Sequence, residues 1–250
     1  MTHDGRAPGG RPPGARPSPS GPPLTVARAT TPHGEVALRR RGDVLELVVD
    51  GAFAMDTVDT SSEVALSTEG LRRAASPTRV LVGGLGLGFT ARAVLADPRV
   101  GHIDVVELAE PLVRWAREGV TAELDGIQGT RCTLHHADVA DVLSGLAGPA
   151  GPWDVVLLDV DNGPGFLVHL SNGRLYAVPG LRTARAALTP GGVLVVWSSH
   201  VSAPLLAALR RAALPGDDVV ETVLPVTREG RSFEYALYSL VRGDAVGLGG

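Results

Sequence analysis

The 250-residue sequence contains no lysine, a single cysteine and few aromatic side chains. Its 23 basic residues are therefore all arginine, and with 27 acidic residues the formal net charge is −4. This balance lacks the basic excess that binding to nucleic-acid phosphates requires. Cys132 has no partner for a disulfide within the chain, which is typical of a reducing compartment. No apolar run approaches the roughly 20 residues of a membrane-spanning helix.

Proline and glycine crowd the start of the chain, "MTHDGRAPGGRPPGARPSPSGPP". Such a composition does not form a packed element, and the stretch lacks the apolar core of a signal peptide. We therefore predict a disordered tail over residues 1–24 and a flexible tail over residues 243–250. We expect a cytoplasmic protein that does not enter a membrane.

Residues 25–76 are predicted to form a β-hairpin followed by a linking helix. The stretch "GEVALRRRGDVLELVVDGAFA" alternates apolar and polar residues on both sides of Arg41-Gly42-Asp43, which indicates two strands joined by a tight turn. The next stretch, "SSEVALSTEGLRRAA", has the apolar spacing of a helix. A small β region therefore precedes the main domain.

Residues 77–242 alternate between strand and helix patterns and then end in two strands with no helix between them. Strands separated by helices form parallel units, whereas the helix-free final pair must be antiparallel. This α/β order predicts the Rossmann-like AdoMet-dependent methyltransferase fold, with a mostly parallel seven-stranded sheet and an antiparallel last strand. A dinucleotide-binding fold fits less well, because Phe89 stands where the G-x-G-x-x-G pattern needs a small residue.

Glycines and acids stand where successive predicted strands end. They are Gly83, Gly84, Gly86 and Gly88 after the first strand, Glu107 after the second, Asp138 after the third and Asp159 after the fourth. Ligands of open parallel sheets bind outside these strand ends. Glycines let a ligand approach the backbone, and Glu107 is placed to accept from both hydroxyls of a ribose. Asp138 is placed either to accept from an adenine amino group or to cap the following helix.

The stretch "VVLLDVDNGPG" puts two carboxylates directly after a buried strand. A carboxylate there can accept the proton that an ammonium group must lose before its nitrogen attacks, and we assign this role to Asp159. Asp161 and Asn162 are candidates for substrate binding, with bracing of the loop as the alternative. Tyr176, in "GRLY" after this loop, is a further candidate.

These residues lie in motifs that resemble those of the spermidine synthases, the polyamine aminopropyltransferases. The motifs occur in the same order in both: "LELVVDGAFAMDTVDTSSEVAL", "VLVGGLGLG", "VVELAEPLVRWA", "HHADV", "DVVLLDVDNGPG" and "RLYAVPGLRTARAALTPGGVLVVWSS". The likeness runs from about Gly34 to Arg242. It is stronger still to short bacterial spermidine synthase-like proteins, whose glycine loop reads GGLG and whose acidic motif reads DVDNGP.

The resemblance implies that the glycine loop, Glu107 and Asp138 contact the nucleoside of the donor. It also implies that Asp159, which matches the first aspartate of the D-S-x-D-P motif, is the base for the attacking amine. Gly86 departs from the family, because it replaces the loop aspartate that pairs with the donor's aminopropyl ammonium.

Further departures concern the amine side of the site. The D-S-x-D-P spacing is shortened at Asp161, the family's tyrosine-histidine pair is missing from "DTSSEVAL", and Leu181 stands about where a substrate-binding tyrosine is found. The nucleoside half of the site is therefore matched better than the amine half.

The main hypothesis is a transferase that moves an aminopropyl or related alkyl group from decarboxylated AdoMet to a small amine. The alternatives are a methyltransferase that uses AdoMet itself and a non-catalytic nucleoside-binding homologue. A homodimer is a possible assembly. No metal is predicted, since His135 and His136 are adjacent on a strand and point to opposite faces.

Overall fold

The computed structural model describes residues 21–161, 163–165, 167, 170–228 and 231–243. Before the main domain lies an antiparallel sheet of four strands in the order β1-β2-β3-β4. Its strands are β1 (Leu24–Thr31), β2 (Gly34–Arg41), β3 (Val44–Val49) and β4 (Ala52–Asp56). The predicted hairpin is the β2–β3 pair, whose turn joins Arg41 to Val44.

The small sheet is larger than the predicted hairpin, because β1 and β4 flank it. Strand β1 is largely exposed, so its sequence "LTVARATT" shows no clear apolar alternation. Strand β4 has only five residues. These two strands are stabilised by hydrogen bonding to β2 and β3, and their own sequence patterns do not indicate strands. Of the predicted tails, residues 1–20 and 244–250 lie outside the described residues.

The main sheet has seven strands in the order β10-β11-β9-β8-β5-β6-β7. Its strands are β5 (Arg79–Gly83), β6 (His102–Glu107), β7 (Cys132–His136), β8 (Trp153–Leu158), β9 (Leu188–Ser198), β10 (Asp218–Arg228) and β11 (Arg231–Val241). Strands β5 to β9 are parallel, and β11 runs antiparallel to both β9 and β10. The predicted fold class is confirmed.

Strand β5 lies at the centre, between β6 and β8. The chain moves outward on one side of β5 through β6 and β7 and then returns to the other side as β8. A crevice opens at the carboxyl ends of strands where the order reverses in this way, and that is where ligands of α/β sheets bind.

Helices cover both faces of the main sheet. They are α1 (Ser61–Arg73), α2 (Phe89–Leu95), α3 (Glu110–Glu118), α4 (Val139–Leu143), α5 (Gly173–Tyr176), α6 (Val178–Ala186) and α7 (Ala203–Ala212). One apolar core joins α1, α2, α3 and the small sheet to one face, and the other joins α4 to α7 to the opposite face. In β8, Val155 and Leu157 enter the first core while Val156 and Leu158 enter the second, which explains its unbroken apolar run.

Helix α1 packs closely on β8 through Gly70. A Cβ atom at this position would lie 2.7 Å from Leu157 Cδ2 and 2.8 Å from Val155 Cγ1. Both contacts are shorter than van der Waals distance, so the helix can approach the sheet only without a side chain here. Helix α1 therefore packs directly on β8 near the end of the helix. In the described part of the chain, no helix is long and apolar enough to cross a bilayer.

We expect Gly70→Val to lower the free energy of unfolding by about 1–3 kcal/mol, because the added carbons overpack the α1–β8 contact. Urea unfolding monitored by circular dichroism measures the change. Thr68→Val, at an exposed position of the same helix, is the matched control and should change stability by no more than about 0.5 kcal/mol. Equal stability of the two variants would contradict this account of the packing.

Candidate active site

The glycine loop after β5 touches the backbone of the acidic loop after β8. Gly84 has φ +97°, and a Cβ atom there would lie 2.1 Å from the carbonyl oxygen of Asp159. Asp159 N also donates to Gly83 O at 2.8 Å, and Gly84 N donates to Val106 O at 2.8 Å. The loop is therefore held between the ends of β6 and β8, and only glycine fits at Gly84.

The second half of the glycine loop contacts strand β4 of the small sheet. Gly86 has φ +52°, and a Cβ atom there would lie 2.7 Å from Met55 Sδ. Leu87 N donates to the same sulfur at 3.3 Å. Gly88 ends the loop as the residue before α2. Met55 thus packs where the resemblance puts an acidic side chain.

Glu107 ends β6 and is held by the backbone on both of its carboxylate oxygens. Leu85 N donates to Oε2 at 2.9 Å, and Ala109 N donates to Oε1 at 2.7 Å. These bonds orient the carboxylate at the mouth of the glycine loop.

Asp138 follows β7 and is the N-cap of α4. Its Oδ1 accepts from Ala140 N at 2.8 Å, and its Oδ2 accepts from Arg174 Nη2 at 2.6 Å. The sequence left two roles open for Asp138, and the structure shows one of them, the cap of α4. Because Asp138 also lines the cleft at the sheet end, the adenine role stays a prediction alongside it.

Asp159 directly follows β8 and lines the cleft. Thr90, in the first turn of α2, donates from Oγ1 to Asp159 Oδ2 at 2.8 Å. Burial raises the pKa of Asp159 above its usual value, and the hydrogen bond from Thr90 opposes that rise. A carboxyl group whose pKa is raised toward neutrality is better suited to accept a proton than an ordinary aspartate.

Asp161 is buried and is braced by two side chains from the segment before α6. Asn172 Nδ2 donates to Oδ1 at 3.0 Å, and the Tyr176 hydroxyl donates to Oδ2 at 3.1 Å. Burial, followed by the adjacent Asp161, raises the pKa of Tyr176 far above its usual value, so the phenol stays protonated as a donor. This geometry matches the bracing alternative for Asp161, although its side chain also lines the cleft. Asn162 lies outside the described residues.

These groups surround one cleft of about 1060 Å³, counted to its open mouth. Five carboxyl side chains line it, and none of its described lining residues is arginine or histidine. The carboxyl residues are Glu63, Glu107, Asp138, Asp159 and Asp161. The cleft thus has more acidic than basic side chains along its described walls, and Arg174, from outside the lining, pairs with one of these acids, Asp138.

A second cavity adjoins the cleft. Four residues line both spaces: Ala54, Met55, Glu63 and Trp197. The outer part is bounded by Asp56, Asp59 and Tyr235, among others. Tyr235 and Trp197 make an edge-to-face contact with ring centres 5.3 Å apart.

Glu63 is the acid that the sequence analysis did not single out. It lies near the start of α1, where Ser62 Oγ donates to its Oε2 at 2.8 Å. Burial, followed by the nearby Asp159 carboxyl group, raises the pKa of Glu63 to about 7. "DTSSEVAL" gave no signal for this role beyond one acid near a helix start. Leu181, by contrast, is fully buried in α6 and does not reach the cleft.

Comparison with known proteins finds relatives among the aminopropyltransferases. The polyamine aminopropyltransferase of Mycobacterium tuberculosis is 31% identical over 176 residues, which are 68% of this chain and 32% of that protein. Spermidine synthase 2 of Datura stramonium is 30% identical over 158 residues, or 62% of this chain and 47% of that protein. The chain resembles the spermidine synthase family. The resemblance inferred from the motifs is thereby confirmed.

The likeness extends to structure and has limits. A spermidine synthase solved in complex with the transition state analogue AdoDATO has a TM-score of 0.69 and 18% identity, over 86% of this chain and 73% of that one. Such a match shows a shared fold. The chain spans between a third and a half of the length of the curated aminopropyltransferases described above.

Two further results qualify the family assignment. Putrescine N-methyltransferase 4 of Nicotiana tabacum is 26% identical over 161 residues, which are 62% of this chain and 40% of that protein. Proteins named for two different transferred groups are therefore similar to this chain. No protein-family model matches it.

We expect Tyr176→Phe to lower the free energy of unfolding by about 1–3 kcal/mol, because it leaves the buried Asp161 carboxylate with one donor fewer. Chemical denaturation measures this change. Tyr235→Phe, at a half-buried tyrosine outside this bridge, should change stability by about 0.5 kcal/mol or less. A Tyr176→Phe variant as stable as the wild type would show that other groups hold Asp161 in place.

Proposed function

We propose that the protein is a spermidine synthase-like transferase that moves an aminopropyl group from decarboxylated AdoMet to a small amine. The observation that carries the proposal is the charge of the cleft: five carboxyl groups, and no basic side chain among the described residues that line it. Decarboxylated AdoMet has a sulfonium and an ammonium group, and an amine acceptor arrives as a second cation. Cations are the ligands that such a surface favours.

The nucleoside would lie over the ends of β5, β6 and β7. Glu107 is oriented by Leu85 and Ala109 at the end of β6, where a carboxylate is placed to accept from the two ribose hydroxyls. Asp138 would accept from the adenine amino group while it caps α4. The glycine loop would run beside the ribose and the sulfur, since Gly84 and Gly86 carry no side chain to occupy that space.

The transfer step needs a deprotonated amine in line with the carbon–sulfur bond. Asp159 accepts a proton from the acceptor's ammonium group, and the freed nitrogen lone pair forms the new bond to carbon. The carbon–sulfur bond breaks with its electron pair remaining on sulfur, which leaves methylthioadenosine as a neutral thioether. The rise in the pKa of Asp159 caused by burial makes proton transfer from an ammonium group more favourable.

The rival function is methyl transfer from AdoMet, and a specific observation supports it. Gly86 has no acid for an aminopropyl ammonium, and Met55 occupies the adjacent space. AdoMet, however, adds a carboxylate to the donor's tail, and a cleft with this excess of acids offers that group no positive side chain among its described walls. We therefore favour the decarboxylated donor. Dimer formation and a cytoplasmic location stay predictions.

Titration calorimetry with decarboxylated AdoMet, AdoMet and methylthioadenosine tests the donor. We expect decarboxylated AdoMet to bind at least about 10-fold more tightly than AdoMet, because its tail lacks the carboxylate that the acidic cleft repels. Glu107→Ala should weaken all three nucleosides by at least about 10-fold. Tighter binding of AdoMet would favour the methyltransferase, and no binding of any of the three would refute the proposal.

Product analysis by mass spectrometry with a panel of amines tests the base. We expect Asp159→Asn to spare methylthioadenosine binding and to lower kcat by about 100-fold or more. Thr90→Val removes a hydrogen bond that stabilises the ionised carboxylate, so the pKa of Asp159 should rise. The acid limb of the kcat/KM profile should then move to higher pH, since the base must be deprotonated to act. Unchanged turnover in Asp159→Asn would exclude this mechanism.

A further inference from the structure

Glu63 is placed where the cleft and the second cavity meet. Of the residues that line both spaces, it is the charged one, and the others are Ala54, Met55 and Trp197. Glu63 lies near the start of α1 and lines the same cleft as Asp159, which follows β8. A molecule passing from the second cavity to Asp159 therefore meets the Glu63 carboxyl group on its way.

Glu63 and Asp159 form a pair of carboxyl groups without a basic partner in the described walls of either cavity. Burial raises the pKa of both acids, and repulsion from the Asp159 carboxyl group adds to the rise at Glu63, which is therefore partly protonated near neutral pH. The other titratable groups that line the second cavity are Asp56, Asp59 and Tyr235. None of them supplies a positive charge at pH 7, so a bound cation is what relieves the repulsion.

We propose that Glu63 is the residue that holds the acceptor's ammonium group beside Asp159, and that the acceptor reaches it through the second cavity. This proposal rests on the proposed function. The chain lacks the family's tyrosine-histidine pair for binding the amine, and the proposal names Glu63 as the residue that binds it here. Trp197 and Tyr235 line the same route with aromatic surface, which suits an alkyl chain that carries a cation.

Binding and proton release are linked by this arrangement. At pH 7 the Glu63 carboxyl group is partly protonated, because its pKa is raised to about 7. An ammonium group nearby favours the ionised form and lowers that pKa, so acceptor binding expels the shared proton to solvent. Asp159 then stands ionised as the transfer begins.

The experiment loads the protein with methylthioadenosine and then titrates it with butane-1,4-diamine at pH 7. The titration is repeated in two buffers with different heats of ionisation, so that proton release appears as a difference between the measured heats. The variants are Glu63→Gln, Glu63→Asp and, as the matched control, Glu118→Gln. Glu118 is an exposed acid on α3 outside both cavities.

We expect Glu63→Gln to weaken diamine binding at least 10-fold and to abolish the buffer-dependent heat, with methylthioadenosine affinity changed less than 3-fold. Glu63→Asp should recover part of the diamine affinity, and Glu118→Gln should match the wild type. The inference is overturned if loaded wild-type protein binds no diamine, or if Glu63→Gln binds it as tightly as wild type does. Loss of methylthioadenosine binding in the wild type would instead overturn the proposed function itself.

Discussion

The site depends on the contact between the glycine loop after β5 and the acidic loop after β8. Gly84 approaches the carbonyl oxygen of Asp159 so closely that a Cβ atom would lie 2.1 Å from it. Backbone hydrogen bonds tie the two loops to each other and to β6. Because β5 is the strand at which the sheet order reverses, these loops diverge above it and leave the crevice open. The positions of Glu107 and Asp159 relative to each other follow from this contact.

Negative charge is the second constraint on the cleft. In soluble proteins a buried carboxylate usually has a basic partner, and elsewhere in this chain arginine fills that role, as Arg185 does for Asp217. In the cleft Arg174 does the same for Asp138, whereas no basic side chain is found among the described lining residues beside Glu63 and Asp159. Burial raises the pKa of both Glu63 and Asp159, and the Asp159 carboxyl group adds to the rise at Glu63. A group of acids with raised pKa values at the carboxyl edge of the sheet is a property that ligand binding explains better than folding does.

The chain differs from the aminopropyltransferases at specific positions around the cleft. Their nucleoside motifs have counterparts in Gly84, Glu107 and Asp138, while the loop acid is replaced by Gly86. Met55 of β4 packs against that glycine, so the small sheet takes part in shaping the region where we propose that the donor's tail lies. An acid on α1, Glu63, lines the same cleft. The acceptor side that we propose thus differs from the family's on a shared fold.

Much of the fold was predictable from the sequence, because the signals are local. Apolar runs covered on both faces mark β5 and β8, and a final strand pair without a helix indicates the antiparallel end of the sheet. The N-terminal sheet was predicted only in part, since β1 is mostly exposed and β4 is short. Both strands owe their structure to pairing with neighbours.

The sequence by itself determined the acids and glycines at the strand ends, since a residue at the end of a buried run necessarily lies at the edge of the sheet. Only the tertiary structure decided that Glu63 lines the same cleft as Asp159, that Met55 fills the space beside Gly86, and that Tyr176 braces Asp161. Each of these contacts joins segments far apart in the chain. Their geometry depends on how α1, β4 and α5 pack on the sheet, and no local pattern encodes that packing.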